Sequence, residues 1–90
     1  MEIPGDVRKF IEEARKRGYQ VDKIAIAKVP FERYYYYENE KFIGEVGEEV
    51  ALENNILMCH DDICILFYND EPVLVMVRGG KPEIKEARDL

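Results

Sequence analysis

The sequence predicts one small α+β domain, with an N-terminal helix packed on a mainly antiparallel, curled sheet or half-barrel of about five to six strands and a short C-terminal helix or tail. Three observations carry this. A single stretch of helical apolar periodicity lies near the N-terminus. From residue 56 onward, short apolar runs alternate with turn residues. The chain has 90 residues, of which 47% are hydrophobic, enough for one packed core and too few for two. Residues 1–80 are expected to form the core and residues 81–90 a polar tail.

The helix is expected over residues 4–17. Val7, Phe10, Ile11 and Ala14 fall at i, i+3, i+4 and i+7, a single apolar stripe. Pro4 and Asp6 suit a helix start, and Gly18 suits a left-handed cap. Glu12–Lys16 and Glu13–Arg17 stand at i,i+4 in the favourable order, and Arg15-Lys16-Arg17 complements the negative end of the helix dipole. A strand follows over about 23–29, where Ile24, Ala25, Ile26, Ala27 and Val29 are apolar on both faces, until Pro30 removes a ladder donor. Residues 31–46 read as a hairpin turning at Glu38-Asn39-Glu40-Lys41, its first strand carrying Tyr34-Tyr35-Tyr36-Tyr37. Residues 48–55 fit a short strand or a helical turn. Three further strands are expected, over 56–60, 63–68 and 73–78, separated by Asp61-Asp62 and by Asn69-Asp70-Glu71-Pro72, with Gly79-Gly80 ending the sheet. The tail from Lys81 to Leu90 is a short helix beginning at Pro82 or a loose end.

Strands 63–68 and 73–77 are apolar on both faces, and one helix covers only one face of a sheet. The other face requires a curled sheet or a second subunit, so a half-barrel or a homodimer is expected.

Composition excludes several chemistries. The chain has no serine, threonine or tryptophan, and one histidine, His60. Serine and threonine nucleophiles are therefore ruled out, as is a P-loop, which ends in Lys-Ser or Lys-Thr. No Gly-x-Gly-x-x-Gly supports a dinucleotide site. The formal net charge of −6 argues against a nucleic-acid backbone as the main partner. No apolar run is long enough for a membrane helix. Met1 to Asp6 lacks the basic start and apolar stretch of a signal peptide, so a cytoplasmic location is expected. Charged residues make up 36% of the chain while uncharged polar residues are few, a bias that fits a thermophile's protein.

Two constellations stand out. Cys59, His60, Asp62 and Cys64 gather the soft ligands of the chain, and zinc takes Cys, His and Asp. If Asp61-Asp62 is a two-residue turn, however, Cys59 pairs directly with Cys64 on one face and His60 points to the other. Two buried thiols, a Cys59–Cys64 disulfide, and a metal or reactive-thiol site all remain open, with no cofactor as the leading expectation and zinc as the alternative. His60 beside Asp61 and Asp62 could act as a base, but no nucleophile accompanies it. The second constellation is Tyr34, Tyr35, Tyr36 and Tyr37, with alternate residues on opposite faces, suited to core packing, an interface or a ligand surface.

The segment from Phe10 to Val21, a charged helix closing on Gly18-Tyr19-x-Val21, is similar to the opening of restriction-endonuclease-like folds, and Asp62-Ile63 before two apolar strands looks like that family's metal-binding hairpin. The family places Glu and Lys two residues apart in the second strand, where this chain has Met76 and Arg78. The resemblance covers about half the chain. Without the carboxylate ligand for Mg²⁺ it implies a degenerate domain that binds nucleic acid and does not cleave it. The leading functional expectation is a non-enzymatic binding or regulatory module that self-associates or takes a protein partner. The alternatives are the metal or thiol site and the degenerate nuclease-like domain.

Overall fold

A computed structural model describes residues 1–28, 33–48 and 55–90. Helix α1 spans Gly5–Lys16. Seven strands follow among the described residues: β1 Lys23–Ala27, β2 Tyr34–Glu38, β3 Lys41–Val46, β4 Ile56–His60, β5 Ile63–Tyr68, β6 Glu71–Val77 and β7 Glu83–Glu86. They form one sheet in the order β3-β2-β1-β4-β5-β6-β7. All neighbours are antiparallel except β1 and β4, which run parallel with Lys23 opposite Ile56 and Ile26 opposite Cys59. Two antiparallel meanders thus meet at one parallel seam. The α+β architecture is as the sequence predicts, with a strand or two more than expected. The sheet stays open, with β3 and β7 as its edges.

The helix ends as its sequence dictates. Gly18 takes φ +90°, the Tyr19 N–H donates to the Ala14 carbonyl and the Gly18 N–H to that of Arg15, each at 3.0 Å, which is the Schellman pattern. Val7, Phe10, Ile11 and Ala14 are all buried, with Ile24, Leu57, Leu66, Leu74 and Met76 in the cluster beneath the helix. Burial of this one face is the main source of stability. The Asn39-Glu40 and Asn69-Asp70 turns place both residues at positive φ, the type I′ geometry that matches strand twist. Asp61 and Asp62 also make a two-residue turn, without positive φ.

Three expectations need correction. Gly79-Gly80 does not end the sheet: both residues take positive φ and lead into β7. The C-terminal segment is not a helix starting at Pro82. It first adds Glu83–Glu86 to the open edge of β6, and its helical turn is a 3₁₀ turn at Ala87–Asp89. The first strand ends at Ala27 among the described residues. Expectations for Val29 to Glu32 and for nearly all of residues 48–55 fall outside the described residues.

Candidate functional site

Pairing register fixes which face each candidate residue occupies. On β4 and β5, Leu57, Cys59, Cys64 and Leu66 face the helix. Ile56 and Met58, with His60 two residues further along β4 and Ile63, Ile65 and Phe67 on β5, face the other side.

Cys59 and Cys64 are direct cross-strand partners, both fully buried under α1, and their sulfurs are bonded at 2.08 Å. His60 lies on the opposite face, where its Nε2 is 3.1 Å from the Tyr34 hydroxyl and the two rings meet edge-on at 5.4 Å. Asp62 is exposed at the turn, and its carbonyl accepts the Arg78 N–H at 2.7 Å. The four residues therefore do not converge. Among the described residues no group of three or more His, Cys, Asp or Glu is placed to hold a metal ion.

The tyrosine run divides as alternation requires. Tyr37 is buried in the core beneath the helix, where Phe42 packs against its ring at 5.5 Å. Tyr35 is half-buried on the same face, with the Lys28 ammonium 5.5 Å from its ring centre. Tyr34 and Tyr36 sit on the second face with Ala25, Ile56 and Met58. The Tyr36 hydroxyl donates to Glu38 at 3.1 Å. Burial, then the nearby Glu48 carboxylate, raises the Tyr34 hydroxyl pKa.

The two arginines of α1 and its C-cap Arg17 are engaged within the chain. Arg8 and Arg15 both reach Glu40, at 3.1 and 3.0 Å, and Arg17 reaches Glu13 and Glu86, each at 3.1 Å. Such pairs leave less free charge for phosphates. Met76, at the position where the nuclease-like family carries a carboxylate, is fully buried in the core. Arg78 instead donates from Nε to Asp6 at 2.8 Å and borders an open cleft with Asp6, Asp61, Asp62 and Gly79.

Sequence reasoning missed the Asp6–Arg78 pair, which joins residues 72 apart and leaves no local signal. It did detect the second face. There Ile63, Ile65 and Phe67 are only partly buried, Val75 is buried and Val77 is 51% exposed. Leu90 is 76% exposed and lines a shallow depression with Val75, Val77, Glu83 and Lys85. The result is an apolar strip across β5 and β6, bordered by the charges of β7. Comparison of the chain with protein-family models, with curated proteins and with solved structures gives no match.

Proposed function

We propose that this chain is a non-enzymatic binding module that self-associates through the β5–β7 side of its second sheet face. The observation that carries this reading is the apolar strip of Ile63, Ile65, Phe67 and Val77, left partly open next to Leu90 while α1 covers the opposite face. Exposed apolar surface of this kind marks contact sites. Charge permits a second copy as the occupant. A chain of net charge −6 repels itself unless the contact surface is neutral, and the charges bordering the strip on β7, Glu83 and Lys85, cancel. The inventory of nucleophiles supports a non-enzymatic role. Serine and threonine are absent from the sequence, and both cysteines are bonded to each other.

Size exclusion with light scattering tests the reading. A dimer is expected for the native chain, and Val77→Lys should weaken it, because a half-exposed side chain can be changed without disturbing the core. A native chain that stays monomeric at millimolar concentration would sink the proposal, as would stable capture of a different protein by the same strip in place of a second copy.

A further inference from the structure

The two edges of the sheet differ in their fitness for pairing. On β3, Tyr36 lies opposite Gly44 and Tyr37 opposite Phe42, so Ile43 is extra and the edge is bulged. Bulges turn an edge away from further pairing. On β7 the register to β6 is regular, from Leu74 opposite Glu86 to Val77 opposite Glu83. Its sequence, Glu83-Ile84-Lys85-Glu86, alternates charge around one apolar residue. Glu83 and Lys85 project from the second face, with side chains 63% and 54% exposed, while Ile84 packs at the margin of the main core.

Charged edges usually prevent pairing. Here the charges, which also pair within the chain at 3.0 Å between Lys85 and Glu83, favour one arrangement over the registers beside it. Two copies related by a two-fold axis perpendicular to the sheet pair antiparallel, and residues of like face must then lie opposite one another. Centring the pair on Lys85 sets lysine against lysine, and centring it on Glu83 sets glutamate against glutamate. Centring it on Ile84 sets Glu83 against the other copy's Lys85 at both ends, with the two Ile84 side chains in contact. Parallel pairing repeats like against like. From this self-complementarity we infer that the copies join strand to strand along β7, Ile84 against Ile84, making one sheet that is continuous across the dimer. The row Val75–Lys85 of one copy then continues into Glu83–Val77 of the next, which links the two apolar strips. This inference rests on the self-association proposed above and goes beyond it, because pairing at the edge sets the two apolar strips side by side without covering them.

Charge reversal tests it by sedimentation equilibrium at about 50 mM salt, where screening of exposed pairs is weak. Glu83→Lys alone and Lys85→Glu alone should each raise the dimer dissociation constant about tenfold, since two cross-strand pairs change from opposite to like charge. Combining both substitutions in one chain should restore native affinity. Mixing the two single variants should give a heterodimer tighter than either homodimer, because all its cross pairs are again opposite. Circular dichroism should be unchanged throughout, as both side chains are exposed. A native dimer that is indifferent to the single reversals, or not recovered by the double reversal, would overturn the β7 geometry. If Val77→Lys still dissolved that dimer, self-association through the face would stand without it. A native monomer would end both.

Discussion

Arg78 joins three distant parts of the chain. Its guanidinium donates to both Asp6 oxygens, at 2.8 and 3.4 Å, and its backbone N–H donates to Asp62. Asp6 lies in the first turn of α1 and also accepts the Val7 N–H at 2.9 Å. Burial alone would raise the Asp6 pKa, but the hydrogen bond and charge of Arg78, with the backbone donors, outweigh it and hold the carboxyl below its ordinary value. A carboxyl with a lowered folded pKa stabilises fully above the ionisation range of an unfolded aspartate, about pH 4, and loses that contribution as pH falls through the folded value. Asp6→Asn should therefore cost about 1–2 kcal/mol at neutral pH and nothing in strong acid, read from urea unfolding across pH. The sequence marks Asp6 as a helix-start residue and nothing more, since its partner lies at the far end of the sheet. Glu40 was equally opaque. It takes φ +66°, unusual for glutamate, in a turn where Arg8 and Arg15 both hold its carboxylate.

Among the elements, the β4–β5 hairpin was the most legible. A two-residue turn at Asp61-Asp62 forces Cys59 against Cys64 whatever the rest of the fold does, and that is the observed register. The bond closes a loop spanning Cys59 to Cys64, a sequence separation of 5. So short a loop removes little freedom from the unfolded chain, so reduction should lower stability by about 2 kcal/mol without unfolding the domain. Parallel denaturation curves with and without reductant measure this, with intact mass reporting the oxidation state. Retention of the fold is expected because β4 and β5 are each paired on both sides, to β1 and β6 as well as to each other. Strand β7 was not legible. One apolar residue among charges carries no strand periodicity, and the segment becomes a strand because β6 offers it an unpaired edge.

For the whole molecule, the mismatch between one helix and a sheet apolar on both faces was legible from the patterning of the strands, while the width of the sheet was not. The short strands gave a count of about five to six, and the seventh is β7, which has no strand pattern of its own. The tyrosines link this architecture to pH. Burial raises the hydroxyl pKa of Tyr34, Tyr37 and Tyr68 above the ordinary value. Groups that titrate higher when folded leave stability unchanged below their unfolded pKa, near 10, and withdraw it as pH climbs through the folded values. Alkaline titration should accordingly show a steep rise in tyrosinate absorbance coincident with loss of circular dichroism. A gradual ionisation of all tyrosines with the dichroism intact would contradict their burial.

The parallel seam between β1 and β4 has a kinetic consequence. Every residue pair across it is 33 positions apart in the chain, whereas Glu38 meets Lys41, His60 meets Ile63 and Tyr68 meets Glu71 across two-residue turns. Closing a long loop costs more entropy than closing a short one, and that cost comes before the contacts that offset it. Each meander can assemble from its own turns, but the central strands meet only after the long closure. The native sheet is thus expected to appear at a rate set by that long closure, which brings together four residue pairs at its centre.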